Sequence, residues 1–368
     1  MLPDGWKSGK IKDFFMLQRG FDLTKSQARS GNVPVISSSG VSYYHDTYKV
    51  IGPGIVTGRK GNIGDVHIIN ENFWPHDTAL WVSDFKSNNI NYVKYFLDYV
   101  NLKKFDEASS VPTLNRNNIL CLNCSFPPLP EQKKIAAILS TWDRAIEGTE
   151  KLLANSQQQK KALMQQLLTG KKRLPGFTGE WKSLKLKTFL QESIIPSPQP
   201  DPKKRITVRL SLNGVEKREV RGTESIDATN YFTRKAGQFI YGKQNIHKGA
   251  FGIIPKILDG FETSQDIPCF DFLPNACSAW LFYYLARENI HNTLETKMTG
   301  TGSKRLNQKT FLNLTCLAPP LSEQKAIAAV LTTADEEITA LESDLSRLRQ
   351  EKKALMQQLL TGKIRVAV

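Results

Sequence analysis

The twelve residues KKALMQQLLTGK occur twice, at Lys160–Lys171 and again at Lys352–Lys363. An identical run of that length is a duplication, and a duplication dictates the architecture before any local pattern does. Reading outward, LNRNNILCLNCSFPPLPEQKKIAAIL from Leu114 is matched by LNQKTFLNLTCLAPPLSEQKAIAAVL from Leu306, at the same offset of 192 and without a gap. A fainter echo pairs DGWKSGKIKDFF from Asp4 with GEWKSLKLKTFL from Gly179, at an offset of only 175. The chain is therefore two half-proteins. Residues 1–112 form a first variable domain and 113–175 a repeat unit with a long helix; 176–304 form a second variable domain and 305–368 a second repeat unit.

Within the repeat, Leu331, Ala334, Ile338, Leu341, Leu345, Leu348, Lys352, Leu355 and Leu359 follow an unbroken 3-4 spacing, the stripe of a coiled-coil seam. The first copy places Leu139, Trp142, Ile146, Thr149, Leu153, Ser156, Lys160, Leu163 and Leu167 at the matching positions. Such a stripe needs a partner, and the other copy supplies one. Lys160 and Lys352 share one seam position, where a polar residue costs stability but fixes register. Ser322 is positioned to cap the second helix and Pro130 suits the first turn of its twin, while Gly170 and Gly362 end both helices in the left-handed conformation. A heptad stripe alone fits a dimerising or scaffolding helix equally well. Two dissimilar basic domains alternating with it point instead to a spacer that holds two readers.

Fifty Lys and Arg against 35 Asp and Glu give a net charge of +15 over 368 residues, which calls for a polyanionic partner. The excess is unequal: residues 1–129 carry 14 basic and 11 acidic side chains, whereas 174–321 carry 20 and 13. No run of eighteen apolar residues spans a bilayer and no signal-type N-terminus is present, so a cytoplasmic protein without a membrane partner is expected. Five scattered cysteines fit a reducing compartment.

The variable domains are rich in β-type runs broken by Gly, Asn and Ser, such as VPVISSSGVSYY from Val33 and GQFIYGKQNIHKGAFGIIP from Gly237. Short helical patterns, INYVKYFLDYVNLKKF and ACSAWLFYYLARENI, follow them. The expected fold of each is mixed α/β with a curved sheet. Arg59, Lys60 and Asn62 cluster on one glycine-flanked turn, and Lys243, Gln244, His247 and Lys248 on another. Arg, Lys, Asn and Gln on loops are the side chains that meet phosphates and base edges. ASSVPTLNRNN from Ala108 and KMTGTGSKRLN from Lys297 occupy matching places before the repeat and add Arg116, Lys304 and Arg305.

Catalytic constellations are missing. There is no GxxxxGK[ST] phosphate loop, no Ser-His-Asp arrangement and no metal-ligand spacing among the five histidines. Cys121 and Cys124 form a CxxC, yet an alternating strand would point them to opposite faces, and Asn313 replaces Cys121 in the second copy.

PPLPEQKKIAAIL, PPLSEQKAIAAVL, the doubled ALMQQLLTGK and the RLPGFTGEW that follows its first copy resemble the specificity subunit of type I restriction-modification enzymes. The resemblance is strong over the helical units and weak over the variable domains. It implies two target-recognition domains separated by two long antiparallel helices in a pseudo-two-fold repeat, reading a bipartite double-stranded DNA site. It further implies two modification (methyltransferase) subunits and two restriction (translocase-nuclease) subunits. These would bring S-adenosylmethionine, ATP and magnesium, leaving no cofactor and no catalysis on this chain. A coiled-coil scaffold whose charge is incidental is the alternative, and an autonomous DNA enzyme is disfavoured by the missing motifs.

Overall fold

The computed structural model describes residues 3–106, 110–220, 222 and 229–367. Ala108 and Ser109, which open the stretch ASSVPTLNRNN, lie outside the described residues. The chain divides into two units, Met1–Lys151 with Ser343–Val368, and Leu152–Glu342. Each unit thus combines one variable domain with a length of both long helices, which regroups the four linear segments.

In the first unit, Met16–Arg19, Ala79–Asp84, Gly54–Gly58 and Val66–Ile69 form an antiparallel sheet in that order. Every residue of the central strand Gly54–Gly58 is buried. Helix Ile90–Val100 contributes Tyr92, Val93, Phe96 and Leu97 to the same core, each such side chain giving about 1.5–3 kcal/mol on burial. The helix starts where the Asn89 side chain accepts from the Tyr92 amide (3.0 Å) and ends at Asn101, which adopts a left-handed φ of 56°. Gly40–His45, Val33–Ser37 and Trp74–Pro75 make a second, three-stranded sheet.

The second unit repeats the plan. Leu190–Ser193, Cys269–Phe272, Phe239–Tyr241 and Phe251–Ile253 are again ordered first strand, last strand, then the middle hairpin. Its core is aromatic: Phe239 stacks on Phe311 and Tyr241 on Phe270, with centroids 5.7 and 5.8 Å apart. The mixed α/β expectation is met in both units.

The long helices run Leu129–Leu167 and Leu321–Leu359, 39 residues each. Both reach glycines with left-handed φ, 71° at Gly170 and 72° at Gly362, and the Lys172 and Ile364 amides turn back to the Gln166 and Gln358 carbonyls (3.2 and 3.3 Å). The start differs from expectation at Ser322, which lies inside the first turn because the helix already begins at Leu321. Gln132 and Gln324 close that turn instead, their Nε2 atoms donating to the Pro127 and Pro319 carbonyls (2.9 and 3.0 Å). The segment before each helix is not one alternating strand either. A short helix, Arg116–Leu120 or Gln308–Leu312, precedes a strand, Asn123–Phe126 or Thr315–Ala318. Cys121 therefore follows the short helix, and only Cys124 lies in the strand. Those strands pair antiparallel with Lys7–Lys10 and Lys182–Lys185, so the faint offset-175 echo and the strong offset-192 repeat are two edges of one small sheet in each unit.

Along the seam, Leu139, Leu167, Leu331, Leu345 and Leu359 are buried. Trp142, Ile146, Thr149, Leu153, Ser156, Lys160, Leu163, Ala334, Ile338, Leu341, Leu348, Lys352 and Leu355 are half-buried. Within the first unit the helical segments run antiparallel, since Asp143 pairs with Lys352 and Glu150 with Arg349 (2.6 Å). Within the second, Ser156 donates to Glu337 (2.8 Å) and Lys160 pairs with Asp335, again in opposite directions.

Lys352 is tied to a variable-domain helix. Its Nζ donates to Asp143 Oδ1 and sits 5.4 Å from the Tyr95 ring centroid, while the Tyr95 hydroxyl donates to Asp143 Oδ2 (2.6 Å). The second unit builds the same triad from Lys160, Asp335 and Tyr283, with 5.6 Å to the ring centroid and 2.7 Å for the hydroxyl bond. Each triad ties two helix segments to a helix of the variable domain. Burial pushes the Tyr283 hydroxyl up to about 12, with the Asp335 carboxylate adding to the rise.

A second doubled device clasps the start of each long helix. Glu131 is buried and accepts from Trp6 Nε1 (3.1 Å) and from Arg365 Nε and Nη2 (2.7 and 2.9 Å). Glu323, fully buried, accepts from Trp181 Nε1 (3.1 Å) and from Arg173 Nε and Nη2 (2.6 and 2.7 Å). Bidentate charge-assisted bonds of this kind are what allow a carboxylate to be buried.

Removing the arginine strands a buried anion, whereas removing the acid leaves an arginine that is 28% exposed and can turn to water. Arg173→Ala should therefore lower the urea midpoint by more than Glu323→Gln does. Equal costs would contradict the burial argument. At Asp143, burial works to raise the carboxyl, but hydrogen bonds from Lys352 and Tyr95 outweigh it and hold the group below the usual carboxylate range. A carboxyl lowered on folding gives stability that is present above its unfolded pKa of about 4 and lost as pH falls through the folded value. The urea midpoint should drop between about pH 5 and about pH 3, and Asp143→Asn should make that drop shallower.

Candidate nucleic-acid interface

The turn after strand Gly54–Gly58 is so tight that a Cβ on Gly58 would lie 1.7 Å from the Asn62 carbonyl, and Gly61 has a φ of 86°. Its backbone is stitched to the segment ahead of the repeat, with the Leu114 amide donating to the Arg59 carbonyl and the Gly61 amide to the Pro112 carbonyl (both 2.8 Å). This brings Arg59 and Arg116, far apart in sequence, to the lining of one hollow of about 420 Å³ that also includes Arg19, Thr113, Asn115 and Asn117. Lys60 and Asn62 are exposed on the same turn.

Two of these arginines are held. Arg59 Nε donates to the Asp77 carbonyl (2.9 Å). Arg19 Nη2 donates to Asp22 Oδ1 and Asp77 Oδ2 (2.8 and 3.1 Å). Arg19, Asn115 and Asn117 were not legible as site residues. The two asparagines lie in the ASSVPTLNRNN stretch, but Arg19 gives no local signal and is brought in by the pairing of its strand with Ala79–Asp84.

The second unit has the same backbone seat. The Leu306 amide donates to the Lys243 carbonyl (2.9 Å), so Lys243 occupies the place that Arg59 holds in the first unit. Lys243 is half-buried, and burial lowers its pKa, with Asp266 and Glu192 working against that and Arg305 adding to it. Arg305 lies beside the same acid, its Nε 3.7 Å from Asp266 Oδ1. Gln244, Lys248 and Lys304 are exposed. His247 sits on the turn Ile246–Lys248 with its Nδ1 buried and unpaired among the described residues. No group of three or more His, Cys, Asp or Glu among the described residues could hold a metal ion, and no helix among them is long and apolar enough to cross a membrane.

Known proteins place this arrangement in context. The chain is 25% identical over 293 residues to the type I restriction enzyme MjaVIII specificity subunit of Methanocaldococcus jannaschii, covering 72% of this chain and 67% of that protein. It is 23% identical to the putative MjaX specificity subunit of the same organism, covering 99% and 95%. The crystal structure of the type I restriction-modification S subunit from M. genitalium superposes with a TM-score of 0.63 at 14% identity, covering 98% of each chain, which establishes a shared fold. The profile of the type I restriction modification DNA specificity domain matches residues 3–158 and 206–348, taking in most of both variable domains and most of both helices, and by that double match the chain belongs to this family.

Proposed function

We propose that this chain is the DNA-recognition subunit of a type I restriction-modification complex, each unit reading one half of a bipartite double-stranded site. One observation supports the reading above the others. The two units carry the same backbone seat, stitched by Leu114 in one and Leu306 in the other, yet fill it with Arg59 and with Lys243. Equal scaffolds with unequal side chains are what two readers of two different sequences require. A scaffold with incidental charge has no need of such a difference, and the specificity profile covers most of both domains.

In this reading the chain performs no chemistry. Modification subunits, two per complex, bring S-adenosylmethionine and methylate the site, and two restriction subunits bring ATP and magnesium. All act in the cytoplasm. The identical KKALMQQLLTGK segments offer the two copies of a partner near-identical docking surfaces.

The purified chain alone should retain DNA weakly, with an affinity that falls steeply with salt, and should transfer no methyl group. Methyl transfer without a partner would overturn the non-catalytic assignment. Lys60→Ala should weaken binding to all sequences alike and reduce the salt slope by about 1, as loss of a phosphate contact does. Replacing residues 1–112 by the matching segment of a relative, in a strain carrying the modification subunits, should change one half of the methylated motif. Methylome mapping that finds both halves altered would rule out separate readers.

A further inference from the structure

We infer that Arg59 reads a guanine in the half-site of the first unit, by presenting its terminal guanidinium edge to the base in the major groove. The inference rests on the DNA-recognition reading above and adds which residue specifies and which base it takes.

Three arginines line the hollow, and their existing bonds separate them. A bidentate contact to guanine O6 and N7 needs two parallel N–H donors on one edge of the guanidinium. Arg19 cannot offer its terminal edge, because Nη2 is already engaged by both Asp22 and Asp77. Arg116 has no hydrogen bond among the described residues, and its exposed side chain must lose rotamer freedom on contact. Arg59 differs from both. Its Nε is fixed on the Asp77 carbonyl, while Nη1 and Nη2 have no protein partner among the described residues. The stem is ordered in advance and the fork is left open, the condition under which an arginine loses least on binding.

The surroundings favour a base over a phosphate. Asp77 and Asp22 stand beside Arg19, so part of the positive charge at the hollow is already neutralised. Nearby carboxylates oppose a phosphate, but they do not oppose the neutral acceptor edge of guanine. Asn115 and Asn117 on the same wall add amides able to meet base edges, and exposed Arg116 at the rim is suited to the flanking backbone. In the second unit the equivalent seat holds Lys243, a point charge without the planar fork, and the inference is confined to the first unit.

The test uses the chain assembled with its modification subunits, in competition binding on duplexes carrying the mapped site. 7-Deazaguanine, which lacks the N7 acceptor, replaces each guanine of the half-site that changes when residues 1–112 are exchanged. One substitution should weaken wild-type binding roughly tenfold and Arg59→Ala binding by less than about twofold, whereas Arg116→Ala should keep the wild-type pattern. The inference is overturned if no guanine is sensitive, if Arg59→Ala keeps the full sensitivity, or if it weakens every duplex equally as a phosphate contact would. A wild-type assembly with no preference for any duplex would instead overturn the DNA-recognition reading itself.

Discussion

Glu131 and Glu323 are buried carboxylates, and the rest of the structure depends on their being satisfied. Each stands at the start of a long helix and is met by a tryptophan from the start of a variable domain and by an arginine just beyond the glycine that ends a long helix. Three chain segments converge on one charge. A buried anion tolerates no looser arrangement, because the desolvation cost returns in full if either donor leaves. The glutamine next to each acid extends the grip. The Asn89 amide donates to Gln132 Oε1 (2.9 Å) and the Cys277 amide to Gln324 Oε1 (3.0 Å), so the residue before each variable-domain helix is fixed by the same Glu-Gln pair.

From that clasp the lysine triads follow. Lys352 and Lys160 lie in the seam where an apolar residue would give more stability, and each is used to hold an aspartate and a tyrosine in place. The triads carry the position of the seam into helices Ile90–Val100 and Ser278–Leu285, and those helices support the sheets that present the candidate contact turns. Rigid elements of this kind are what a recognition side chain needs behind it, since a loosely supported arginine distinguishes bases poorly.

The architecture was largely legible because it is written as a repeat. The offset-192 copies gave the two long helices and their glycine ends, and the offset-175 echo gave the matching starts of the variable domains. Trp6 with Trp181, Glu131 with Glu323 and Arg173 with Arg365 were all visible as recurrences. Their convergence was not, because the three pairs sit at two different offsets and only the small sheets joining Lys7–Lys10 to Asn123–Phe126, and Lys182–Lys185 to Thr315–Ala318, bring them together. Asp143 and Asp335 recur at the offset of 192, but their bonds to Lys352 and Tyr95 and to Lys160 and Tyr283 are made only in the fold. At the candidate interface, Arg59 and Arg116 were chosen for side-chain type, for a glycine-flanked turn and for a matching place ahead of the repeat. What orders Arg59 is the backbone carbonyl of Asp77, and a backbone acceptor leaves no trace in sequence.

The central claim is that each unit is a complete seat for a reader, built by the same clasp and the same triad. The most direct measurement is the methylome of a chain in which segments 1–112 and 176–304 are exchanged, co-expressed with the modification subunits. Trp6 and Trp181, Tyr95 and Tyr283 travel with their segments and meet equivalent partners in the new place. The account predicts that both original half-site sequences reappear in the methylated motif. A folded chain that supports methylation only at new half-sites would contradict it, since recognition would then depend on the seat and not on the reader it holds.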